Sequence, residues 1–530
     1  MRSFFGAIFV VVAVQARSLP RQASGPATLL TDLSTISQYW GEITPYSDNP
    51  EDYFHVVDVG MPSGCQVEQA HLLQRHANRF PTSGADDGGN NERFASKVLN
   101  FTKASTSMFT GPLAFLNSYH YEMTESYLTG LGASTEFMAG VTFWNRYGRT
   151  LYNASVGQLA YNASFSNSAA RPKPVLRTTS HEINWALGFF GPSFEIVPNP
   201  NITNASTPFN VVVITEGGTE NNTLASYDSC TNDNDAVIGY IGDSDLFSYI
   251  PKYLKNATVR IQQYAPENFT FTTNDTYAMQ SICAYENGYL GTSDFCYLFT
   301  QVEWESFENT LDMQYYFDYA YGNPTGRAQG IGYVQELLAR LNNEYITSSN
   351  SSVNSTIDDN AAEFPLGQAF YADFSHDDII ISVLTALSLD YFRNPPSLTQ
   401  VPPDPNRPFI LSNLTPFGAR LVTEVIGCAS ADPAPVPAHR TQYYPSQYGY
   451  SAANATNKFI RMRLNNGILP LNTIRDGACD GRTDGMCAMG KFIGSQANAY
   501  KLANYDFACF GNYTVADPTS GEDYDGTISA

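Results

Sequence analysis

Three segments of this chain, far apart in sequence, carry side chains suited to binding a phosphate group. They are Arg75, His76 and Arg79 in "QRHANRFP", Arg177 in "VLRTTS", and His376 with Asp377 in "FSHDD". A guanidinium group offers a planar fork of donors to phosphate oxygens, and each charge-assisted hydrogen bond is worth roughly 1.5 to 3 kcal/mol. Three arginines at one place would therefore outweigh an acidic background locally.

Each segment follows a predicted strand and precedes a turn that opens a helix. The strands are "VEQAHLLQ" after Cys65, Val175 to Thr179 ahead of a helix from about Ser180, and "QAFYADF" ahead of a turn at 375–378 and a helix. In open α/β sheets the carboxyl ends of the strands line the ligand crevice. We therefore expect the three segments to converge at one edge of a sheet.

The rest of the chain supplies further elements of both kinds. We expect strands at 209–217 and "RLVTEVIGC", a hairpin in "FIRMRLNNGILPL" turning at Asn466 and Gly467, and helices at "NERFASKVLNF", from Ser134 with its hydroxyl as the cap, and across "GRAQGIGYVQELLARLNNEY". Strands that alternate with helices predict an α/β fold, in which helices are layered on a mixed sheet.

Changes in composition predict how the chain is divided. Residues 1–16 have a cation ahead of an apolar run and indicate a secretory signal peptide; residues 17–50, rich in Ser, Thr, Pro and Gly, indicate a surface arm or propeptide. Residues 51–217 and 346–530 would form the α/β domain. Residues 218–345, with polar turns and helical periodicity, would form a smaller, mainly helical insertion.

The charge balance limits the classes of partner. The chain has 51 Asp and Glu against 29 Lys and Arg, a net charge of -22 and a pI near 4.6. This disfavours nucleic acid and an anionic membrane, and a small phosphate-bearing substrate would have to be drawn in by a local cluster of cations. The oligomeric state stays open.

Several features indicate export. No segment after the N-terminal run has the long uncharged apolar stretch of a membrane span. Fourteen Asn-x-Ser/Thr sequons predict N-linked glycans. The eight cysteines predict four disulfides; zinc is the alternative, but neither close pair, Cys283/Cys296 or Cys479/Cys487, has the CxxC gap. We therefore expect a secreted, extracellular glycoprotein.

The ordered set of motifs resembles one enzyme family. "RHANRFP" matches the RHxxRxP pattern of the histidine acid phosphatases, and "SHDD" matches their HD dipeptide. "VLRTTS", "NNTL", "YGNPTGRAQGIGYVQELLARL" and "FYADFSHDDIIISVL" are similar to the fungal secreted phytase branch, from about Cys65 to Phe510. The resemblance implies the histidine phosphatase, phosphoglycerate mutase-like fold. It also implies the disulfides Cys65–Cys428, Cys230–Cys509, Cys283–Cys296 and Cys479–Cys487.

The resemblance further implies a role for each site residue. His76 would attack phosphorus to form a phosphohistidine that water then hydrolyses, and Asp377 would protonate the leaving alcohol. The groups that would bind the phosphoryl oxygens are Arg75, Arg79, Arg177 and His376. Neighbouring arginines disfavour a proton on His76 and keep it neutral in acid, and a bound phosphate dianion would raise the pKa of Asp377. We expect no metal and no cofactor.

Nearby titratable residues have structural interpretations as well. His71 is expected to be a packed or hydrogen-bonded strand residue, and His181 either starts a helix or lies near the site. Asp378 is either the acid or a charge in the first turn of a helix, where Asp is favoured. We take Asp377 as the acid.

Two departures from the family bear on the substrate. The family normally has Gly where this chain has Ala77, whose methyl group would alter the backbone approach to phosphate unless the local φ is negative. The related phytases carry lysines after the motif and before "GNP", where this chain reads "PTSGADDGGNNERF" and "NTLDMQYYFDYAYGNP". Asp86, Asp87 and Asp312 would repel the additional phosphates of phytate.

The sequence thus predicts a secreted acid phosphomonoesterase that hydrolyses phytate (myo-inositol hexakisphosphate) and related phosphate esters. A broad-specificity acid phosphatase with little phytase activity is the alternative among enzymes. An inactive secreted glycoprotein that binds phosphate esters is the alternative of another class, against which the intact His76 and Asp377 argue.

Overall fold

The structure, a computed structural model, describes residues 28–82, 90–154, 157–161, 175–178, 182–191, 209–217, 220–444, 446–479 and 481–529. In these parts eight strands form one mixed sheet, which confirms the expected α/β class. The strands are β1 Cys65–Arg75, β2 Val175–Thr178, β3 Asn210–Val213, β4 Phe370–Ser375, β5 Arg420–Cys428, β6 Asn457–Leu464, β7 Gly467–Ile468 and β8 Cys487–Ala488. Their order is β3-β2-β4-β1-β5-β6-β7, and β8 pairs with β6.

The helices lie between the strands and after the last of them. They are α1 Leu33–Ile36, α2 Asn90–Ala104, α3 Gly130–Phe143, α4 Arg149–Leu151, α5 Glu182–Phe190, α6 Ile241–Gln262, α7 Thr273–Leu290, α8 Gln301–Tyr319, α9 Gly326–Asn342, α10 Ser355–Asp358, α11 Asp377–Ala386, α12 Leu411–Leu414, α13 Met489–Ser495, α14 Ala499–Ala503 and α15 Tyr505–Phe510. The helices α6 to α9 fall within the predicted insertion, whose separate status as a domain stays a prediction.

Helices cover both faces of the sheet because successive residues of a strand point to opposite sides. On β1, Leu72 belongs to an apolar cluster shared with α3 and α5, whereas Leu73 belongs to a larger cluster shared with α8, α9 and α11. The helices α3 and α5 cross closely at Gly140, where a Cβ would lie 2.0 Å from the carbonyl oxygen of Trp185. The sheet is therefore the middle of three layers.

The parallel strands set the position of the candidate site. β1, β2, β3 and β4 run parallel, so their carboxyl ends lie at one edge of the sheet. The register of β1 with β4 pairs Arg75 with Ser375. The residues that follow, His76 and His376, are therefore neighbours although 300 positions separate them.

The N-terminal segment corrects one expectation. Residues 28–50 are not a surface arm, because Ile36, Trp40 and Ile43 are buried in the larger cluster and Trp40 meets Trp304 of α8 edge-to-face at 6.5 Å. Ile36 ends α1, and Trp40 lies between two 3₁₀ turns, Ser37–Tyr39 and Gly41–Ile43, the second of which ends at Ile43. Residues 1–27, with the predicted signal peptide, lie outside the described parts.

Two local boundaries also differ from prediction. The hairpin of β6 and β7 turns at Asn465 and Asn466, both with positive φ, because Leu464 pairs with Gly467; the turn lies one residue earlier than expected. The helix expected from Ser134 begins at Gly130, where the Thr129 hydroxyl accepts from the backbone N–H of Gly132. A threonine cap thus replaces the predicted serine cap.

The cysteines form the four disulfides that the resemblance implied: Cys65–Cys428, Cys230–Cys509, Cys283–Cys296 and Cys479–Cys487. None of the sequon asparagines within the described ranges is buried. No helix among the described residues is long and apolar enough to cross a membrane.

Candidate active site

A cavity of about 1140 Å³ lies at the carboxyl edge of the parallel strands; we call it the catalytic cavity. Five of the six predicted site residues line it, namely Arg75, His76, Arg79, His376 and Asp377. Arg75 ends β1, and His76 and Arg79 lie in the loop that follows it. His376 follows β4 and is the N-cap residue of α11, of which Asp377 is the first residue. The convergence expected from the strand ends is therefore present for these five.

Arg177 is the sixth, and its position corrects the prediction. The register of β2 with β4 pairs it with Asp373, and its Nε lies 2.7 Å from the Asp373 carboxylate. It is also ion-paired with Glu336 of α9 and lies 3.6 Å from Asp358. Arg177 is buried among these acids and is not among the described residues that line the catalytic cavity, so its charge is directed to them rather than to a phosphate.

The acids around Arg177 divide into charged and protonated groups. Burial raises the pKa of Asp373, but Arg177 and Arg340 outweigh it and hold that pKa far below its usual range. Burial, and then the charge of Glu336, raises the pKa of Asp358. Two guanidinium groups therefore face two carboxylates and one neutral acid, which is a balanced internal cluster.

His76 is held in an orientation suited to a nucleophile. Its Nδ1 lies 3.0 Å from the carbonyl oxygen of Ala77. A carbonyl only accepts, so Nδ1 carries the proton of the neutral ring and Nε2 carries the lone pair. The His76 ring lies 5.5 Å from the ring of His376, centroid to centroid, and 5.9 Å from that of Phe417.

The surroundings of His76 keep it neutral. Burial is the largest cause of a pKa well below the usual value, followed by the positive charges of Arg79 and Arg75 and by His376. The imidazole therefore stays unprotonated, and nucleophilic, at acid pH. This agrees with the direction expected from the sequence.

His376 has the opposite tendency because of a carboxylate that the sequence analysis did not identify. Its Nε2 lies 2.6 Å from Glu216, which follows β3. Burial lowers the pKa of His376, but the hydrogen bond and charge of Glu216 outweigh it, so the pKa is raised. In acid His376 is therefore a cation at the N-terminus of α11, where the helix dipole is also positive.

Asp377 is ionised by its contacts in the catalytic cavity. Its Oδ2 lies 2.7 Å from Nη2 of Arg75 and accepts a 2.7 Å hydrogen bond from the hydroxyl of Tyr315. Burial raises the pKa of Asp377, but Arg75, the Tyr315 hydroxyl, Arg79 and His376 together lower it below its usual value. A role as acid therefore needs a change at Arg75.

Asp378 also lines the catalytic cavity, in the first turn of α11. Burial, followed by the charge of Asp377, raises its pKa to about 7. The two neighbouring acids thus differ sharply: Asp377 is charged and Asp378 holds a proton in acid. That Asp377 rather than Asp378 is the general acid, as the sequence predicted, stays a proposal.

Ala77 fits the site without strain. Its backbone does not have a positive φ, and its side chain is buried. A Cβ placed on Gly418, which has φ +76°, would lie 3.7 Å from the Ala77 methyl group, so the two residues are close neighbours. The Ala77 N–H donates to Glu136 of α3 at 3.1 Å, which holds the loop after β1.

Other residues of the site were missed by sequence reasoning. Arg75 donates through Nη1 to the carbonyl oxygens of Glu42 and Thr415, and its guanidinium lies 4.5 Å from the centre of the Phe417 ring. Glu216 could have been found, because it lies at the end of the strand predicted at 209–217. Tyr315 lies in the last turns of α8 and has no local sequence signal.

Two remaining expectations concern the neighbourhood. His71 is a packed strand residue as expected: it is buried, stacks on Tyr371 at 4.8 Å and lies 3.0 Å from the Gln69 side chain. Asp312 does not face the catalytic cavity; it is buried and ion-paired with Arg407 at 2.6 Å. Asp86, Asp87 and His181 lie outside the described residues.

The described walls of the catalytic cavity are nevertheless acidic. Besides Asp377 they include the carboxyl groups of Glu42, Glu125, Glu216, Asp233 and Asp378, of which that of Asp378 is protonated in acid. The arginines among them are Arg75 and Arg79, and there is no lysine among the described lining residues. Acidic surroundings were expected from the sequence; of the residues named there, Asp312 does not contribute, and Asp86 and Asp87 lie outside the described residues.

Comparison with known proteins identifies the family. The model of the histidine phosphatase superfamily (branch 2) matches residues 66–465. The chain belongs to this superfamily. Phytase A of Aspergillus oryzae is 28% identical over 466 residues, covering 87% of this chain and 88% of that protein, and Phytase A of Neurospora crassa is 24% identical over 514 residues, covering 90% and 92%.

Solved structures support the fold of this histidine phosphatase. The phytase from D. castellii superposes with a TM-score of 0.65 at 20% identity, covering 94% of this chain and 96% of that one. The multiple inositol polyphosphate phosphatase of Bifidobacterium longum gives a TM-score of 0.51 at 14% identity, covering 86% and 96%. The mixed sheet layered with helices is thus the fold of these phosphatases.

Proposed function

We propose that this histidine phosphatase is an acid phosphomonoesterase that hydrolyses phytate and related phosphate esters through a phosphohistidine at His76. The observation that carries the proposal is the orientation of His76, whose Nδ1 is held by the Ala77 carbonyl in the cavity that also holds Arg75, Arg79, His376 and Asp377. The relatives named phytase support phytate as the substrate.

Binding of the substrate promotes protonation of Asp377, the proposed general acid. The phosphate group of the ester accepts from Arg75, Arg79 and protonated His376, and it competes with Asp377 for Arg75. Because the Arg75 charge is what lowers the pKa of Asp377, sharing it with a phosphate dianion raises that pKa. Asp377 then takes up a proton before the leaving group departs.

The first chemical step makes and breaks one bond each. The Nε2 lone pair of His76 forms a bond to phosphorus while the bond from phosphorus to the ester oxygen breaks, and Asp377 gives its proton to that oxygen. In the second step Asp377 accepts a proton from water as the water oxygen attacks phosphorus and the bond from phosphorus to Nε2 of His76 breaks, which returns the electron pair to Nε2. Phosphate leaves, and His76 is again neutral.

The compartment follows from the same features. We propose that the protein is extracellular and carries N-linked glycans, since it has four disulfides and since its sequon asparagines in the described ranges are not buried. We further propose that it works without nucleic acid or membrane partners and that residues 1–16 are a cleaved signal peptide.

The test of the substrate is a comparison of kcat/KM on phytate and on p-nitrophenyl phosphate in acid. We expect substantial release of phosphate from phytate, abolished by His76→Ala. An overwhelming preference for p-nitrophenyl phosphate would favour the broad-specificity alternative. Absence of turnover at any acid pH, with equal anion binding by the wild type and the His76→Ala variant, would favour the inactive binding protein.

A substitution in the acidic walls of the catalytic cavity tests whether they influence selectivity between phosphate esters. Glu125 is exposed at the cavity, so Glu125→Gln removes one repulsive charge with little effect on folding. A unit charge some 8 Å away in water contributes about 0.5 kcal/mol, so kcat/KM for phytate should rise about twofold relative to p-nitrophenyl phosphate. An equal change for both substrates would contradict a role of the walls in selecting among phosphate esters.

A further inference from the structure

A second cavity, of about 500 Å³, concentrates positive charge in this acidic chain. The arginines that line it are Arg146, Arg149, Arg440, Arg461 and Arg463. Its described lining has two carboxylates, Glu51 and Glu424, and one histidine, His439. We call it the arginine cavity. We propose that it is a second anion site, which binds a phosphoryl group independently of catalysis.

The floor of the arginine cavity is formed by β5 and β6. Glu424 lies between two guanidinium groups, with its carboxylate oxygens 2.6 Å from Nε of Arg461 and 3.0 Å from Nε of Arg463. Glu51 is 2.9 Å from Nη1 of Arg463 and 3.1 Å from Nδ1 of His439. The two floor arginines are thus ion-paired, but the lining as a whole has five arginines against these two carboxylates, so the cavity retains positive charge.

Arg461 provides separate evidence that the arginine cavity binds a ligand. The residue is 2% exposed, and its Nη1 is buried without a hydrogen-bond partner among the described residues. Buried polar donors are nearly always satisfied in folded proteins. An anion oxygen in the cavity that Arg461 lines would satisfy this donor.

The rim carries two arginines that are fixed by neutral groups. Arg149 donates to the carbonyl oxygens of Gln442 at 2.8 Å and of Tyr443 at 2.9 Å. Arg440 donates to the carbonyl oxygen of Met61, and its guanidinium lies 4.2 Å from the centre of the Tyr448 ring. Neither has a carboxylate partner among the described residues, so both are oriented while their charges stay available.

The number of cations favours a phosphoryl group over a carboxylate. A carboxylate has two oxygens and one charge and is satisfied by a single guanidinium fork, whereas a phosphate has more oxygens and up to two charges to share among several arginines. On β5 the floor residue Glu424 pairs with Ala70, five residues before Arg75. At 3.3 Å per residue the two cavities are about 17 Å apart along β1, so one small ligand cannot fill both.

The test is equilibrium dialysis of the full chain against radiolabelled inorganic phosphate at acid pH. We expect two phosphates per wild-type chain. The double variant Arg149→Gln/Arg440→Gln should weaken one of them at least about tenfold while kcat on p-nitrophenyl phosphate is unchanged. The control Lys103→Gln/Lys255→Gln removes the same charge from exposed positions outside the cavity and should keep both. One phosphate per wild-type chain, or two with unchanged affinity in the double variant, would overturn the proposal.

Further arms separate the sources of the anion. Phenylphosphonate that displaces the second phosphate as well as phosphate itself does indicates a phosphate ester, and displacement by phosphate alone indicates the released product. Acetate that displaces it equally well would overturn the phosphoryl assignment. If the double variant does not fold, Arg461→Lys retains the charge beside Glu424 and removes the Nη1 donor; unchanged binding there would also overturn the proposal. Binding is measured without turnover, so this outcome is separate from that of the catalytic proposal.

Discussion

The chemistry of the catalytic cavity depends on the protonation states of four neighbouring side chains, those of His76, His376, Asp377 and Asp378. Burial and two arginines keep the proton off His76, and Glu216 keeps a proton on His376. Asp377 is charged because of Arg75, and Asp378 is protonated because it is buried beside Asp377. A nucleophile, a cation and a source of protons are therefore all in place in acid.

Substitution of the two adjacent acids distinguishes their roles. Asp377→Asn should slow release of a poor alcohol leaving group by about 10² to 10⁴-fold, and release of p-nitrophenolate in the first step much less, because p-nitrophenolate leaves without a proton. Asp378→Asn is the matched control, since the amide replaces an acid that is already neutral, and it should cost less than about tenfold on both substrates. The measurement is single-turnover kinetics with the two substrates. The reverse pattern would make Asp378 the acid.

Most of the site residues could be predicted from sequence because they lie at strand ends within short motifs. Arg177 could not be placed correctly, because its neighbours Asp373 and Glu336 come from a strand and a helix far along the chain. Tyr315 was missed for the same reason. The local sequence indicates which residues lie at the end of a strand, whereas the pairing of side chains 62 to 196 positions apart depends on tertiary packing.

At the scale of elements, a substitution on β2 tests whether Arg177 stabilises the fold, as its ion pairs indicate, or binds phosphate, as the sequence predicted. Arg177→Met should lower the free energy of unfolding by about 3 to 5 kcal/mol, because Asp373 and Glu336 would lose a buried partner. The KM of the folded enzyme for p-nitrophenyl phosphate should stay within about twofold. Arg79→Met is the matched control and should impair catalysis with a small effect on stability. The measurement is urea unfolding combined with steady-state kinetics. A stable Arg177→Met variant with lost phosphate binding would restore the role expected from sequence.

The strands and long helices could be predicted because their apolar periodicity is strong, whereas their ends could not. The hairpin turn was placed one residue late, since "NNG" offers two registers and only the pairing of Leu464 with Gly467 decides between them. Residues 17–50 were interpreted as a surface arm or propeptide because their polar composition hides three apolar residues, Ile36, Trp40 and Ile43, which are buried. Composition is averaged over a window, and burial depends on individual positions.

For the whole molecule, buried acids predict stability that is greatest in mild acid. Burial, followed by the charge of Asp312, raises the pKa of Glu308 to about 8, and burial raises that of Asp233 to about 6. The folded state therefore holds protons that the unfolded chain releases above its ordinary pKa, and stability falls as pH rises through this window. The net charge of -22 acts in the same direction.

We predict a higher Tm at pH 5 than at pH 8. Each retained proton contributes up to about 1.4 kcal/mol per pH unit within its window. Glu308→Gln should make this pH dependence shallower, whereas Glu344→Gln, at an exposed position, should leave it unchanged. Calorimetry across the range measures both. A Tm that rises from pH 5 to pH 8 would contradict the account.

The buried residue His71 lowers the stability of the fold at low pH. Burial lowers its pKa to about 3, so the unfolded chain binds a proton that the folded state refuses between about pH 6.5 and 3. Stability contributed by neutral His71 is therefore lost as pH falls through that window. The buried acids favour folding at low pH and His71 favours it at higher pH, so together they place maximum stability in mild acid. In this range His76 is neutral and His376 is charged.

The most direct test of the central claim, that His76 carries the phosphoryl group, is to trap the intermediate. Asp377→Asn should slow its hydrolysis, so a rapid quench of this variant with ³²P-labelled p-nitrophenyl phosphate should accumulate an alkali-stable, acid-labile phosphoenzyme. Peptide mapping should place the label on His76, and the His76→Ala/Asp377→Asn double variant should give none. Label on another residue, or turnover by His76→Ala at a rate near that of the wild type, would contradict the account.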